Sequence, residues 1–341
     1  MSNALKFGRK RIGSGEPVFI IAEIGINHEG DFDTCVRMVE EAAAAGADAI
    51  KLQTIDAARN YAPDTESYKL FSNSELTREQ TSQTFELSRS LGVEPFTTVG
   101  DFATLDWLKS LDPPGYKISS GLLTCTPIAA SAAQTGKPVL MSTGMAQTDD
   151  IDAAVEAVGA VKDGKAALFL CTSVYPAPRD TWALSSINWL SERYGLATGF
   201  SDHSSGDEAA VLAVAAGAVM IEKHFSLDPS RPGYDHPLSL DPSGFKKMVD
   251  GIRNAEVALG QAGGRSQEGL SDVRRHMSRY LGVTADIGPG QILDRSNIGF
   301  LRFSDGAGIL PPSMFDMVCG ASATRRLPAY SPLDRTAFSH G

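Results

Sequence analysis

The chain has 341 residues, of which 42% are hydrophobic and 21% are charged, proportions that are ordinary for a globular protein. Its 31 basic and 41 acidic residues give a net charge of −10, which argues against a nucleic-acid partner. No apolar run is long enough to span a membrane, and the four scattered cysteines form no CxxC pair. We therefore expect a cytoplasmic protein with reduced thiols.

Eight short apolar runs alternate with amphipathic helical stretches over the first 259 residues. The runs are 18–24, 49–53, 93–98, 115–119, 138–142, 167–173, 196–201 and 218–224. Such alternation implies parallel strands joined by right-handed crossovers, and eight units favour a closed (β/α)8 TIM barrel over an open sheet. We predict this barrel over residues 1–259, with 245–259 as its eighth helix and the long stretch 60–74 as an active-site loop.

A glycine-rich break at residues 260–269 ends the barrel pattern. We interpret residues 260–272 as a linker and residues 273–341 as a small, loop-rich, mostly β module, because short strand-like segments there alternate with turn sequences. A unit this small would gain stability by docking on the barrel or on a second subunit.

The apolar runs end in polar residues, and the last two end in histidine. Barrel enzymes gather their active site at the C-terminal ends of the strands. His203 and His224 would end neighbouring strands about 4.8 Å apart. Both imidazoles would therefore reach one divalent cation and leave positions open for water and a substrate oxygen. The alternative is a pair of hydrogen-bonded rim histidines, and the flanking Asp202 and Glu222 favour the metal site.

Two lysines at the same predicted rim indicate an anion site. Lys51 and Lys117 follow apolar residues of the second and fourth strands, where a lysine is costly unless it meets an anion. The alternative is that both side chains extend to solvent. Glu23 ends the first strand, and its alternative role is an interior salt bridge with Lys51. Hydrogen-bonding groups at the same rim are supplied by Gln53, Thr98, Ser119, Ser120, Ser142 and Ser201.

Motifs at the predicted strand ends carry a family resemblance. They are IAEIGINHEG (21–30), GADAIKLQ (46–53), STGM (142–145), CTSVYP (171–176), GFSDHSSG (199–206), IEKHFSLD (221–228) and PGYDH (232–236). Together they resemble the sialic acid synthase (N-acetylneuraminate synthase) family over nearly the whole chain. The module after the linker resembles that family's small antifreeze-like (SAF) domain.

The resemblance implies a carbon–carbon bond-forming transferase. Members of the family condense phosphoenolpyruvate (PEP) with an open-chain aldose such as N-acetylmannosamine, giving a nine-carbon 2-keto-3-deoxy sugar acid and phosphate. It also implies a divalent cation on His203 and His224, Mn²⁺ in preference to Mg²⁺ or Co²⁺. The implied assembly is a homodimer in which each SAF domain covers the partner's barrel mouth, without nucleic-acid or membrane partners.

The same resemblance assigns roles to individual residues. PEP is expected to contact Lys51, Gln53, Thr98, Lys117, Ser120, Ser142 and Ser201. The acceptor sugar is expected to contact Glu23, Asn27, Tyr175, Asp235 and, from the SAF module, Arg302. The catalytic set is Glu23, Lys51, Lys117, His203, His224 and Asp235.

The chain departs from the family on the acceptor side. The family reads Lys-Ile-x-Ser-Gly-Glu at the fourth strand, whereas this chain has leucine at position 122, which neither transfers a proton nor accepts a hydrogen bond. We expect the PEP half-reaction to be retained with an acceptor that differs from N-acetylmannosamine. The alternatives are another PEP–aldose synthase, such as one for an octulosonate or heptulosonate phosphate, and a sugar-binding pseudoenzyme. The strand ends offer no arginine-rich phosphate subsite for the first, and the retained histidines and lysines weigh against the second.

Overall fold

The computed structural model describes residues 4–159, 165–260 and 270–340. The chain forms two compact units, Met1–Gln261 and Ala262–Gly341. Residues 261–269 of the predicted linker lie outside the described residues, whereas its last residues belong to a helix that starts at Leu270. In the described parts of the chain, no helix combines the length and hydropathy that crossing a bilayer would require.

A short hairpin that the sequence did not lead us to expect begins the first unit. Strands β1 (Leu5–Phe7) and β2 (Lys10–Ile12) pair antiparallel. Phe7 is fully buried, with its ring centroid 5.5 Å from that of Phe19 and 5.1 Å from that of Phe96. Phe19 begins β3, and the Arg9 N–H of the hairpin donates at 2.9 Å to Oε1 of Glu94, which begins β5, so the hairpin covers the N-terminal end of the barrel.

The first unit is an eight-stranded parallel barrel, as predicted. Its strands are β3 (Phe19–Gly25), β4 (Ala49–Leu52), β5 (Glu94–Thr97), β6 (Tyr116–Ile118), β7 (Val139–Ser142), β8 (Ala166–Cys171), β9 (Ala197–Asp202) and β10 (Met220–His224). They pair in parallel in the order β5-β4-β3-β10-β9-β8-β7-β6. A parallel bridge between Thr98 and Lys117 joins β5 to β6 and closes the circle.

Amphipathic helices cover the barrel. They are α1 (Phe32–Ala44), α2 (Ala57–Asn60), α3 (Glu66–Ser72), α4 (Arg78–Ser90), α5 (Phe102–Leu108), α6 (Thr126–Gln134), α7 (Thr148–Ala157), α8 (Ser186–Tyr194), α9 (Glu208–Ala215) and α10 (Pro242–Leu259), with 3₁₀ turns at Lys109–Leu111, Ser120–Leu122, Arg179–Thr181 and His236–Leu238. In α1 the buried residues Cys35, Met38, Val39 and Ala42 recur at the helical spacing, and the Asp31 carboxylate caps its first turn. Helix α3 and the last residue of α2 lie in the stretch 60–74 that we expected to be a loop.

The second unit is small and loop-rich, as predicted, and contains two short antiparallel strand pairs. Helix α11 (Leu270–Met277) is followed by β11 (Tyr280–Val283), which pairs antiparallel with β12 (Ile298–Leu301), and then by a 3₁₀ turn at Pro312–Met314 and α12 (Phe315–Val318). A further antiparallel pair joins β13 (Ser322–Ala323) to β14 (Phe338–Ser339). The unit has its own core, which includes Leu281, Val283, Leu293 and Leu333. Its identity as an SAF domain stays a prediction.

Candidate active site at the C-terminal mouth of the barrel

At the C-terminal ends of the strands, polar side chains point into the barrel and line an opening that we call the mouth. Each of these residues lies two positions after an apolar residue of the barrel interior. In a strand, residues i and i+2 face the same side. The inner apolar cluster contains Ile21, Ala49, Phe96, Leu140, Phe169 and Met220. The residue two positions later in each of these strands is Glu23, Lys51, Thr98, Ser142, Cys171 or Glu222. The alternation of the strands therefore places these polar groups around one cavity at the C-terminal ends.

Two lysines and two glutamates form a charge network at the bottom of this mouth. Lys51 Nζ lies 2.6 Å from Glu23 Oε2 and 3.7 Å from Glu222 Oε1, and Lys117 Nζ lies 3.5 Å from the same Glu222 oxygen. All four residues are 5% exposed or less. Lys117 also donates a hydrogen bond of 2.6 Å to Ser142 Oγ. Neither lysine extends to solvent, so the charges are available to a ligand inside the mouth.

The two carboxylates of this network differ in proton affinity. Burial raises the pKa of Glu23 to about 7, with Lys51 offsetting only part of the effect. Burial would also raise the pKa of Glu222, but Lys117 and Lys51 hold it at about 2. Burial would lower the pKa of Lys51, yet the Glu222 and Glu23 carboxylates outweigh this and raise it. Two carboxyl groups with pKa values driven apart are typical of a site in which one exchanges protons and the other stays ionised.

The two histidines face each other above this network. The ring centroids of His203 and His224 are 5.3 Å apart, and both side chains are buried. His203 Nδ1 lies 2.9 Å from the Thr172 carbonyl oxygen, which only accepts, so Nδ1 carries a proton. Burial would lower the pKa of His203, but the neighbouring Cys171 thiol raises it; in the neutral ring Nε2 keeps a lone pair. Burial and the neighbouring His203 lower the pKa of His224, which keeps its imidazole neutral. The nearest carboxylate oxygen to His224 Nδ1 is Asp235 Oδ2, 3.5 Å away.

These residues fit a divalent cation held in an open site. Neutral imidazoles are metal ligands, and the fixed tautomer of His203 orients its ring in the usual way. Within the described residues no three His, Cys, Asp or Glu side chains converge as a complete ligand set. The remaining positions would therefore fall to water and substrate oxygens, as in catalytic metal sites.

Several buried polar atoms at the mouth have no hydrogen-bond partner in the described part of the chain. They are Thr98 Oγ1, Ser173 Oγ, Ser204 Oγ, Glu222 Oε2 and His224 Nδ1. Leaving such atoms unsatisfied costs roughly 1–3 kcal/mol each. Atoms of this kind at one end of a barrel indicate that a polar ligand completes the site.

An outward-facing ion pair ties together the two strands that carry the histidines. Lys223 Nζ lies 3.0 Å from Asp202 Oδ2 and donates to the Ser204 carbonyl oxygen at 2.5 Å, with both charged side chains fully buried. Asp202 precedes His203, and Lys223 precedes His224. The pair therefore fixes the relative position of the two imidazoles.

Three predicted acceptor contacts, Asn27, Tyr175 and Arg302, and the predicted PEP contact Gln53 lie in less uniform surroundings. The Tyr175 ring is 53% exposed, and its centroid lies 4.4 Å from that of His203. Gln53 donates to Glu23 Oε1 at 2.8 Å. Asn27 is buried and hydrogen-bonded to neighbouring segments, so it does not open onto the mouth. Arg302 is exposed in the second unit. The site role of each of these residues stays a prediction.

Leu122, which replaces the family glutamate, is partly buried against an apolar cluster. That cluster lies between β5, β6 and β7 and the helices outside them, and it includes Leu105, Leu123 and Ile128. Beside it, the hydroxyl of Ser120 accepts from the Gly144 N–H at 3.1 Å and lies 3.6 Å from Cys171 Sγ. The hydroxyls and the thiol thus converge, while position 122 brings no charge to the rim.

Two residues of the mouth were missing from the predicted site. Glu222 contacts both lysines and accepts a 3.0 Å hydrogen bond from Ser201 Oγ. Cys171 Sγ lies 3.6 Å from His203 Nδ1. Burial would raise the thiol pKa, but His203, Ser120 and Lys117 together outweigh burial and lower it. The sequence could have indicated Glu222, because residues two positions apart in a strand face the same side and Glu222 therefore shares a face with His224.

A cavity of about 1020 Å³ lies at the opposite end of the barrel. Its acidic groups are already paired, with Arg9 Nε 3.1 Å from Glu94 Oε1 and Lys137 Nζ 2.7 Å from Asp112 Oδ1. Conserved chemistry in barrel enzymes sits at the C-terminal face, where this chain places its histidines and buried lysines. The mouth is therefore the candidate active site, although this cavity lies at the other end.

Known proteins resemble this chain along most of its length. A family model described as the NeuB family matches residues 38–263. The chain is 33% identical to the N,N'-diacetyllegionaminic acid synthase of Legionella pneumophila, over 97% of this chain and 98% of that protein. It is also 33% identical to a pseudaminic acid synthase of Campylobacter jejuni, over 94% and 96%. The crystal structure of an N-acetylneuraminic acid synthetase from Leptospira borgpetersenii in complex with citrate aligns with a TM-score of 0.75 and 33% identity, over 80% of this chain and 97% of that one.

Proposed function

This chain belongs to the NeuB family, and we propose that it condenses PEP with the open-chain form of an N-acylated aldose. The products would be a sialic-acid-like 2-keto-3-deoxy sugar acid and phosphate. Relatives named as legionaminic and pseudaminic acid synthases support this reaction class. They also favour a modified acylamino sugar as the acceptor.

One observation carries the donor half of this proposal. Two buried lysines, Lys51 and Lys117, converge with hydroxyl groups at the mouth, where Thr98 Oγ1 has no partner among the described residues. PEP carries a phosphate and a carboxylate, and charge-assisted hydrogen bonds to such groups contribute roughly 1.5–3 kcal/mol each. Three serine hydroxyls lie close by: Ser142 accepts from Lys117, Ser201 donates to Glu222, and Ser120 contacts the Cys171 thiol.

The reaction requires one new carbon–carbon bond and the loss of phosphate. C3 of PEP attacks the aldehyde carbon, water adds to the cationic C2, and the C2–O bond to phosphate breaks. Lys51 and Lys117 hold the anions, and the Glu222 carboxylate stabilises positive charge that develops at C2. Glu23, whose pKa of about 7 suits proton exchange, accepts a proton from the attacking water.

A divalent cation on His203 and His224 would polarise the aldehyde oxygen of the acceptor. We propose Mn²⁺ for this position, with Mg²⁺ and Co²⁺ as the competing ions. Asp235 lies beside His224 and would bind an acceptor hydroxyl there. Tyr175 packs against His203 and would cover one face of the acceptor.

We further propose a cytoplasmic homodimer in which the second unit acts as an SAF domain and supplies Arg302 to the acceptor site of the other subunit. The size of this unit supports the idea, because a mostly β module of about 70 residues gains stability by docking.

The test is phosphate release from PEP by purified protein with Mn²⁺. Acceptors to compare are N-acetylmannosamine and diacetamido-trideoxyhexoses, with glucose as a control. Phosphate release that depends on an acylamino aldose, with the sugar acid identified by mass spectrometry, is the expected result. If PEP and metal bind and no aldose releases phosphate, the chain is a sugar-binding pseudoenzyme and the proposed reaction is wrong. Lys117→Met should lose turnover, whereas Lys109→Met, which removes an exposed ion-pair partner of Asp106, should not.

A further inference from the structure

The side chain of Asn27 is fully occupied by the segment that follows β10. It is 1% exposed, in the turn after β3. Its Nδ2 donates to the Phe225 carbonyl oxygen and to Ser239 Oγ, both at 3.0 Å. Its Oδ1 accepts from the Asp235 N–H, also at 3.0 Å. Because both amide hydrogens and the oxygen are engaged, this side chain has no donor left for a sugar.

Asp235 is therefore held at both of its peptide groups. Asn27 holds its N–H directly, and Ser239 Oγ donates to its carbonyl oxygen at 2.6 Å. Because Ser239 also accepts from Asn27, the two side chains form one clamp on a single residue. The clamped residue is the one whose Oδ2 lies 3.5 Å from His224 Nδ1. The direction of the Asp235 carboxylate thus depends on groups that do not touch the mouth.

A second contact fastens the same segment. Glu29 has a left-handed backbone with φ of 53°, a conformation that costs a residue with a side chain about 1 kcal/mol or more. There its Oε1 accepts from His236 Nε2 at 2.9 Å and lies 2.7 Å from the Arg231 guanidinium. Ser226 holds the other ring nitrogen of His236 at 2.7 Å. Glu29, in the turn after β3, thus contacts Arg231 and His236, which lie on either side of Asp235 in the sequence.

We propose that Asn27 is a positioning residue that, together with Ser239, aims the Asp235 carboxylate at the acceptor side of the mouth. This rests on the proposed function, in which Asp235 binds the acceptor. It gives Asn27 a role different from the direct sugar contact that the family resemblance implies. It also bears on position 122: where leucine replaces the family glutamate, Asp235, whose backbone Asn27 holds, keeps a carboxylate on the acceptor side.

The test uses the full-length protein and the variants Asn27→Ala, Ser239→Ala and Ser239→Thr. Ser88→Ala is the matched control, because it removes a buried hydroxyl that donates to the Thr84 carbonyl oxygen within α4. Without substrate, hydrogen exchange is measured by mass spectrometry on peptides that cover residues 228–240. Asn27→Ala and Ser239→Ala should exchange faster there, with other barrel peptides unchanged, whereas Ser239→Thr keeps its hydroxyl and should resemble the wild type.

Kinetics supply the second readout. Asn27→Ala should raise KM for the best acceptor roughly tenfold, which is the loss of about one charge-orienting hydrogen bond, and leave KM for PEP within about twofold. The Asn27→Ala/Ser239→Ala double variant should cost no more than Asn27→Ala alone, because both act on one residue. Unchanged exchange in residues 228–240, or equal rises in both KM values, would overturn the positioning role. Exchange is measured without turnover, so failure of the proposed reaction would leave this result readable.

Discussion

Replacement of Lys117 by methionine tests the charge network at its most sensitive point. Lys117 is 2% exposed, and its ammonium group faces Glu222 Oε1 at 3.5 Å and Ser142 Oγ at 2.6 Å. Two unit charges at that distance attract by roughly 5 kcal/mol at an effective dielectric constant of 20. Removing one partner of a buried pair typically costs about 3–5 kcal/mol, because the other charge is left without compensation. Lys51, 3.7 Å from the same oxygen, already compensates Glu23.

The assay is a stability cycle with three variants. Lys117→Met should lower the free energy of unfolding by about 3 kcal/mol or more, which for a barrel of this size lowers the thermal midpoint by roughly 10 °C. Glu222→Gln removes the opposite charge, and the double variant Lys117→Met/Glu222→Gln removes both. The double variant should therefore recover most of the lost stability. Turnover should not recover, because the ammonium group that we propose binds PEP is still missing.

The outcome of the cycle separates two explanations for the buried lysine. If Lys117→Met is as stable as the wild type, Glu222 is not an uncompensated anion in that variant, and the described charge network is wrong. If stability is lost and the double variant recovers none of it, the loss reflects packing against Phe169, whose ring centroid lies 5.4 Å from the ammonium. Lys109→Met, at an exposed ion pair, should change stability by less than about 0.5 kcal/mol.

Other expectations concern the remaining parts of the mouth. If Glu23 is the base and its pKa is about 7, kcat/KM for PEP should rise as the pH increases through 7. Glu23→Gln should abolish this rise, and a rise that persists in the variant would exclude Glu23 as the base. His224→Ala should weaken Mn²⁺ binding, followed by electron paramagnetic resonance, by at least about tenfold, and unchanged affinity would place the cation elsewhere. Leu122→Glu should raise turnover of N-acetylmannosamine relative to the best acceptor by about tenfold, and an unchanged ratio would show that other residues select the acceptor. In Gly144→Ala the new Cβ would lie 2.5 Å from Ser173 Oγ and 2.9 Å from Ser120 Oγ, so KM for PEP should rise by about tenfold; normal kinetics would mean that the loops after β6 and β8 shift freely.

The barrel was predictable because its determinants are local and repeated. Each strand is a short apolar run, and each is followed by a helix whose buried residues recur at the 3.6-residue spacing, as in α1. The convergence of Lys51, Lys117, His203 and His224 followed from this topology alone, since the C-terminal ends of parallel strands share one face of a barrel. The N-terminal hairpin was missed because its three-residue strands are too short to carry a pattern.

The partners of the site residues could not be predicted, because they depend on contacts between distant segments. Asn27 lies next to the motif histidine at position 28 in sequence, yet its hydrogen bonds go to residues about 200 positions later. Glu222 was visible as an acid beside His224, but its distances to two lysines on other strands required the closed barrel. A sequence motif shows which side chains lie near the mouth. Which of them can still bind a ligand depends on hydrogen bonds to distant parts of the chain, and the motif does not reveal those bonds.

The charge balance of the mouth links the proposed PEP site to the proposed metal site. Lys51 and Lys117 are matched by Glu23 and Glu222, and Asp235 adds a further carboxyl group, so the mouth offers PEP no surplus positive charge. Each additional negative charge about 4 Å from a carboxylate costs roughly 4 kcal/mol at an effective dielectric constant of 20. The neutral His224 ring adds no charge of its own. With Glu23 ionised as the proposed base, PEP binding therefore needs the proposed divalent cation between the imidazoles; without that cation it would need a proton on Glu23, whose pKa is about 7. Glu222, with its pKa at about 2, stays ionised; its carboxylate helps raise the pKa of Lys51 and offsets part of the lowering that burial imposes on the pKa of Lys117.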